Sequence, residues 1–220
     1  MSTMIRPATP ADKDFIITAI VEAEKSGSDL ISYCAIFSIT EAGLRKILGD
    51  ILDEDIKGQE LCLSNFLIAE VDGEKAAAIS TWIEKENGMA SNMIKSNVLM
   101  FFIDREILLN ATPLFSLMNE ISIARQENAL QIECVYSSEG FRGRGLTWQL
   151  IDEAVKLKTK SGPKFNKVQV ILLKNNEKAL NAYRKAGFTV VQEKQCADKA
   201  ILQILPGDTK ILMERNIDNT

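Results

Sequence analysis

The chain has 220 residues, of which 46% are hydrophobic and 25% are charged, and its formal net charge is −4. This composition predicts one packed domain over residues 1–220 and excludes an intrinsically disordered chain. The acidic balance disfavours general nucleic-acid binding, which needs a positively charged surface.

The first part of the chain predicts a strand, two helices and a hairpin. Residues 4–9 predict a short strand, after which Thr9 and Pro10 supply an N-cap and a first helical position. Residues 38–56 have the apolar three- and four-residue spacing of a second helix. Residues 64–88 predict a β-hairpin, because two apolar runs flank an Asp-Gly turn.

An apolar, Met-rich segment at 88–128 is interpreted as a helical insert, with helices over about 91–109 and 113–127. Further elements are a strand at 129–138, a helix from 146 to the stop at Gly162-Pro163, a strand at 167–174, a helix at 176–187, and strands at 188–196 and 209–217. The strand–helix–strand step requires a parallel pair with a right-handed crossover, whereas the hairpin requires antiparallel pairing. The predicted fold class is therefore α/β, with a mixed sheet and helices on its faces.

Residue usage limits the available chemistry. The absence of histidine excludes Ser-His-Asp and Cys-His catalysis, and it leads us to expect no metal site. The four cysteines form no CxxC pair, the N-terminal segment is polar, and no apolar run reaches 18 residues. We therefore expect a reduced, cytoplasmic protein without a membrane span.

The sequence SSEGFRGRGLTWQL places Arg142, Gly143, Arg144 and Gly145 at the entrance of a predicted helix. The first backbone N–H groups of a helix have no intrahelical acceptor and favour an anion. Glycines let the anion approach the backbone, and arginines add charge-assisted hydrogen bonds. The segment is neither a Walker A loop nor a G-x-G-x-x-G fingerprint, since Trp148 replaces the third glycine. A solvent-facing glycine-rich turn with stray arginines is the alternative.

A second motif, NNEKALNAYRKAGF, places Asn176, Ala179 and Tyr183 on one face of a helix. Taken singly, Tyr183 also fits a core aromatic residue, and Asn176 also fits an ordinary N-cap. The two motifs have to be considered together.

Together, the motifs make the chain similar to the GNAT superfamily of N-acetyltransferases. RGRGLT (142–147) resembles the acetyl-CoA loop of that family, Arg/Gln-x-x-Gly-x-Gly/Ala, although Thr147 stands where Gly or Ala is usual. NEKALNAYRKAGF matches the Asn and the AxxxYxKxGF pattern of the family. The resemblance spans nearly the whole chain, apart from the insert at 88–128, and Ser137 stands where an apolar residue is usual.

The resemblance implies a mostly antiparallel sheet of six or seven strands, with helices on both faces and acetyl-CoA wedged between splayed fourth and fifth strands. The pyrophosphate would lie on residues 142–147, and the pantetheine arm would run along the strand at 131–137 like an added strand. The implied acetyl-CoA contacts are Val135, Tyr136, Ser137, Arg142, Gly143, Arg144, Gly145, Leu146, Thr147, Asn176, Ala179 and Tyr183.

The implied reaction is transfer of an acetyl group from acetyl-CoA to a primary amine of a small molecule or peptide, by direct attack in a ternary complex. A protonated amine must lose a proton before it attacks, and the leaving thiolate benefits from a proton donor. The resemblance makes Tyr183 that donor.

Glu133 is the first choice of general base. It lies on the strand beside the implied cofactor, and strand alternation puts it on the same face as Val135 and Ser137. A solvent-facing strand glutamate is the plain alternative. A water relay to a backbone carbonyl is another possibility, and the other candidate carboxylates are Glu70, Glu84 and Glu120.

The insert has seven large apolar residues: Met89, Met93, Met100, Phe101, Phe102, Phe115 and Met118. We favour an ordinary helix-face core for them; a flexible wall over the acceptor pocket or a dimer face is the alternative. The segment 26–40 is a candidate for the opposite wall, with Tyr33 and Phe37 pointing inward.

Two other function classes fit parts of the sequence. A CoA-binding pseudo-enzyme or regulatory module would keep the same fold, but the intact Tyr183 and loop favour an enzyme. An RNA-binding protein that uses R-G-R-G would need aromatic repeats and basic charge, which this chain lacks.

We therefore expect acetyl-CoA and an amine as partners, without nucleic acid or membrane, in a monomer or homodimer. A polyamine, an amino acid, an antibiotic-like amine and a peptide amine all remain open as acceptors.

Overall fold

The computed structural model describes residues 2–161 and 163–217. In those residues the strands are β1 (Thr3–Pro7), β2 (Phe66–Val71), β3 (Glu74–Ile83), β4 (Leu130–Ser137), β5 (Lys167–Leu173), β6 (Thr189–Gln195) and β7 (Thr209–Asn216). They form one sheet in the order β1-β2-β3-β4-β5-β7-β6. Neighbouring strands are antiparallel, apart from the parallel pair β4–β5. The predicted mixed α/β class with one parallel pair is therefore confirmed.

Helices cover both faces of this sheet. They are α1 (Lys13–Glu24), α2 (Ser32–Phe37), α3 (Glu41–Glu54), α4 (Ser91–Phe102), α5 (Arg105–Glu120), α6 (Leu146–Ser161) and α7 (Glu177–Lys185). Short 3-10 helices lie at Pro10–Asp12, Leu63–Asn65, Glu139–Phe141 and Lys199–Gln203. Within residues 2–161 and 163–217, no helix combines the length and apolar character needed to cross a membrane.

Local signals set two of the early boundaries. Before α1, the carboxylate of Asp12 accepts hydrogen bonds from the Thr9 backbone N–H and hydroxyl, each at 2.9 Å. Asp72 and Gly73 connect β2 to β3 with φ angles of 50° and 87°. This left-handed backbone is the geometry that Asp-Gly favours in a two-residue hairpin turn, so the hairpin prediction is confirmed.

The insert between β3 and β4 contains two helices, but the break between them differs from the predicted one at 109–113. It lies before Asp104, whose carboxylate accepts a hydrogen bond from the Glu106 N–H at 2.8 Å and so caps α5. Pro113 lies inside α5, where it costs one backbone hydrogen bond without ending the helix.

The interpretation of the insert's large apolar residues as core is wrong for most of them. Helix α4 turns Ile94 and Val98 toward the core, and the positions on its other side therefore point outward. The exposed members are Met89, Met93, Met100, Phe101 and Phe115. Phe102 and Met118 do pack against the core.

The sheet separates two apolar layers. Helices α1 to α5 cover one face, and α6 and α7 cover the other. Helix α2 was not predicted; it turns Tyr33 and Phe37 inward, where both side chains are buried and their rings stack at 6.3 Å. Because α1 and α7 lie on opposite faces, a side chain from each can reach the same gap between strands only where the sheet opens.

Candidate active site

The sheet opens between β4 and β5. Residues 130–132 pair with residues 168–170, but the two strands are not paired beyond these positions, although β4 continues to Ser137 and β5 to Leu173. At the closed end, the side-chain amide of Gln131 donates a hydrogen bond to the side-chain oxygen Oε1 of Gln169 at 2.8 Å. The cleft leaves one edge of β4 free of β5, so an extended molecule can add main-chain hydrogen bonds there.

A β-bulge in β4 changes the side-chain alternation inside the cleft. Cys134 has a φ angle of 51°, and the pairing with β3 shifts register at this point. As a result, Val135 packs in the layer of α6 and α7, whereas Glu133 lies on the other face and pairs with Arg125. The prediction that Glu133 shares a face with Val135 is therefore wrong, because it assumed an unbroken two-residue alternation.

The end of β4 contacts both α1 and the loop that follows. Tyr136 packs edge-to-face against Phe15 of α1, with ring centroids 5.8 Å apart. The carbonyl oxygen of Ser137 accepts a hydrogen bond from Nε of Arg142 at 3.2 Å. Arg142 thus ties the loop to the strand whose free edge faces the cleft.

The loop before α6 has the shape of an anion cradle. Gly143 and Gly145 have φ angles of 78° and 74°, a left-handed backbone that glycine adopts without strain. A Cβ atom built on either would meet no other atom within 4 Å, so the backbone faces open space. Leu146 is buried and anchors the start of α6, whose first N–H groups have no acceptor in their own helix. These residues therefore fit a pyrophosphate.

Both arginines of the loop are exposed, and each also contacts the chain. Arg142 holds Ser137 as described, and the guanidinium of Arg144 lies 5.0 Å from the ring centroid of Phe141. Thr147 is half-buried in the first turn of α6. Two cations beside the open backbone favour a phosphate charge at this place.

Helix α7 brings the second motif to the cleft on the same face of the sheet as α6 and opposite to α1. Asn176 caps the helix, since its Oδ1 accepts a hydrogen bond from the Ala179 N–H at 3.2 Å. Ala179 packs in the layer of α6 and α7. A Cβ atom added to Gly27 would lie 3.7 Å from Asn176 Oδ1, so the end of α1 meets the start of α7 here.

Tyr183 is only 5% exposed and packs edge-to-face against Phe188, with ring centroids 5.6 Å apart. Burial raises the pKa of Tyr183, and the neighbouring Glu133 carboxylate acts in the same direction. The phenol therefore keeps its proton near neutral pH. Glu133 and Tyr183, which lie far apart in sequence, therefore influence each other electrostatically across the cleft.

Glu133 is the carboxylate candidate that lies in the cleft. It forms an ion pair with Arg125, whose guanidinium also lies 5.3 Å from the ring centroid of Trp82. Burial raises the pKa of Glu133, and the charge of Arg125 opposes that rise. A carboxylate with a raised pKa is better matched to accepting a proton near neutral pH.

The other predicted carboxylates have structural partners elsewhere. Glu70 pairs with Arg6 beside β1, at 2.5 Å. Buried Glu84 accepts hydrogen bonds from Trp82 Nε1 at 3.2 Å and from the Ser91 N–H at 2.9 Å. Glu120 accepts one from the Cys196 thiol at 3.2 Å.

A charged cluster beside the cleft was not predicted from sequence. We define it as Glu24, Glu60, Lys95, Arg125, Glu133 and Lys210. Its members come from α1, the loop before β2, α4, the loop before β4, β4 and β7. No spacing rule joins positions so distant in sequence.

An apolar groove also lies on the surface of α4, lined in part by Ile56, Met89, Ile94 and Phe101. It shares no residue with the cleft or with the charged cluster. We therefore place the candidate active site at the cleft. In residues 2–161 and 163–217, no group of three or more acidic or cysteine side chains is arranged to hold a metal ion.

Comparisons with known proteins agree with this architecture. A family model described as the acetyltransferase (GNAT) family matches residues 33–188. A search of curated proteins gives no match.

Several solved structures have a similar fold. An N-acetyltransferase from Staphylococcus aureus Mu50 is 18% identical, with a TM-score of 0.61 over 96% of this chain and 100% of that one. A second acetyltransferase is 17% identical, with a TM-score of 0.62 over 98% and 100%. A phosphinothricin acetyltransferase from Sinorhizobium meliloti, solved with AcCoA, is 13% identical, with a TM-score of 0.51 over 99% and 89%. At these identities the likeness concerns the fold.

Proposed function

Because the chain belongs to the GNAT acetyltransferase family, we propose that it transfers an acetyl group from acetyl-CoA to a primary amine of a small molecule or peptide. The observation that supports this most strongly is the cleft between β4 and β5, which has a glycine cradle at one side and a buried tyrosine at the other. Acetyl-CoA supplies an activated thioester, and the remaining chemistry belongs to residues of the chain.

The chain's own residues hold the cosubstrate in this proposal. Backbone N–H groups of residues 143–147, with Arg142 and Arg144, bind the pyrophosphate. The free edge of β4 binds the pantetheine arm through main-chain hydrogen bonds, and Asn176 and Ala179 line the opposite wall. A backbone N–H near residues 135–137 stabilises the developing oxyanion. Removing one such donor typically lowers kcat by about 10²–10³.

Glu133 acts as the general base, with Arg125 as its positioning residue. The acceptor arrives as an ammonium ion, and Glu133 takes one proton so that the amine can attack. A C–N bond forms at the thioester carbonyl, and the C–S bond breaks. The nitrogen then gives up a second proton, and the sulfur leaves protonated.

Tyr183 supplies the proton that the leaving sulfur needs. Since its raised pKa keeps the phenol protonated, Tyr183 can donate to the thiolate and recover a proton from the nitrogen or from water. In the net reaction, ammonium and thioester give amide, free thiol and one released proton. General acid catalysis of this kind contributes about 10²–10⁴ in rate.

The experiment is a CoA-release assay with a panel of primary amines, together with calorimetric titration of acetyl-CoA. Tyr183→Phe is expected to lower kcat by about 10² or more and to leave the Kd for acetyl-CoA within about twofold. Equal turnover by wild type and Tyr183→Phe would remove Tyr183 from the chemistry. Binding of acetyl-CoA without CoA release for any amine would instead favour the pseudo-enzyme.

A further inference from the structure

The charged cluster contains two pairs and two residues left over. Lys95 pairs with Glu60, and Arg125 pairs with Glu133. Among the residues that the structure describes, Glu24 and Lys210 have no ion-pair partner within 4 Å, although each shifts the pKa of the other. The cluster therefore holds one carboxylate and one ammonium group that influence each other without forming an ion pair.

Both residues lie at the open end of the cleft. Glu24 is the last residue of α1, close to where Gly27 approaches Asn176. The N–H of Asn176 donates to the carbonyl oxygen of Leu173, the last residue of β5, at 3.0 Å. Lys210 is the cross-strand partner of Leu173 on β7. Because antiparallel partners share a face, Lys210 lies on the side of α1, as Leu173 does.

Leaving two opposite charges half-buried and unpaired is unfavourable, because each loses hydration without gaining a partner. Burial accordingly raises the pKa of Glu24 to about 7 and lowers the pKa of Lys210. In addition, the buried Nε of Arg125 has no hydrogen-bond partner within the described part of the chain. These unsatisfied groups indicate where a ligand with complementary polar groups would be stabilised.

We propose, resting on the acetyltransferase function above, that the acceptor is an amino acid: a small molecule with both an ammonium and a carboxylate group. Its carboxylate pairs with Lys210, and its amine lies on the side of Glu24 and Glu133, within reach of the base. Each charge of such a zwitterion meets an opposite charge that the protein leaves unpaired. A polyamine, by contrast, would place a second cation against Lys210.

The test compares acceptors that differ only in the carboxylate. Each α-amino acid is assayed for CoA release beside its amide and its decarboxylated amine, and a series from glycine to 6-aminohexanoate varies the distance between the two charges. We expect wild type to prefer the best amino acid over its amide by at least about tenfold in kcat/KM. Lys210→Met should reduce that ratio to within about twofold, with the Kd for acetyl-CoA unchanged.

Lys156→Met is the matched control, because it also removes one lysine but from the surface of α6, where the side chain is 66% exposed. It should keep the wild-type preference. If Lys210→Met does not fold, as judged by circular dichroism, Lys210→Gln and the wild-type ratios take its place.

Amides that react as well as the free acids, or a preference that survives in Lys210→Met, would overturn this inference. In either case CoA release from other amines would leave the acetyltransferase proposal intact. Absence of acetyl-CoA binding and of any CoA release would instead refute the proposed function itself.

Discussion

Glu24→Gln should stabilise the protein in a pH-dependent way. Glu24 ends α1 as a half-buried carboxylate without an ion-pair partner among the described residues. Burial is the largest cause of its raised pKa, and the negative charges of Glu60 and Glu133 act in the same direction. Lys95 and Lys210 oppose the shift without cancelling it. Glutamine has nearly the same shape but carries no charge at any pH.

The size and sign of the effect follow from the two pKa values. Folding moves the pKa of Glu24 from 4.5 to about 7, so between these values the folded protein binds more protons than the unfolded chain. Stability contributed by Glu24 therefore falls as the pH rises through this window. At about 1.4 kcal/mol per pKa unit, the full loss above pH 7 is at most about 3 kcal/mol.

The assay is thermal or urea unfolding of wild type and Glu24→Gln at pH 5 and pH 8. The variant should gain about 2–3 kcal/mol relative to wild type between these values, or roughly 5–10 °C in Tm for a protein of this size. Glu153→Gln on α6 corrects for the loss of one negative charge. Parallel pH profiles for wild type and Glu24→Gln would refute the conclusion that folding buries an unpaired carboxylate here.

Two further variants test the phosphate cradle and the N-terminal ion cluster. Gly145→Val places a side chain in the open space before α6 and should raise the Kd for acetyl-CoA about tenfold or more in calorimetry. Gly73→Val is the control, because Gly73 has an equally left-handed and unobstructed backbone, and it should leave the Kd unchanged. Equal affinities of the two variants for acetyl-CoA would disprove the cradle. Asp12→Ala leaves Arg6 without the carboxylate it bonds at 2.7 Å and should cost about 2–4 kcal/mol in urea unfolding, against less than about 1 kcal/mol for the exposed Asp53→Ala. Arg6 holds the pKa of Asp12 well below its usual range, so the stability that Asp12 contributes should persist above about pH 4 and shrink on acidification. A loss of unfolding free energy at neutral pH no larger than that of Asp53→Ala would contradict this.

Local rules predicted those parts of the fold whose cause is local. The turn at Asp72-Gly73 and the Thr9 cap each follow from residues within a few positions of one another, and the parallel pair around α6 follows from the order of three consecutive elements. The bulge at Cys134 could not be predicted in this way, since no glycine or proline marks it. It is fixed by pairing with β3, whose register is set more than fifty residues earlier in the chain.

In the candidate site, too, the features with a local cause could be predicted and those that depend on distant residues could not. Both motifs reached the cleft, because each opens a helix directly after one of the two splayed strands. Their roles in binding and catalysis remain predictions. Lys210 and Glu24 carry no signal of their own, and their importance depends on the absence of an ion-pair partner for either within the described chain. Such an absence can be recognised only when all neighbouring elements are in place.

The short contact between β4 and β5 also has a mechanical consequence. Among the described residues, β4 and β5 pair only at residues 130–132 and 168–170, where the side-chain amide of Gln131 also donates a hydrogen bond to the side-chain oxygen of Gln169. Toward the end where Tyr183 and the glycine loop lie, no backbone pairing between the described residues of β4 and β5 joins the two strands. A ligand that forms hydrogen bonds with the free edges of both β4 and β5 would link the two strands where they do not pair with each other. Hydrogen exchange at the ends of β4 and β5 should then slow when acetyl-CoA binds, as a measure of how far the substrate itself completes the sheet.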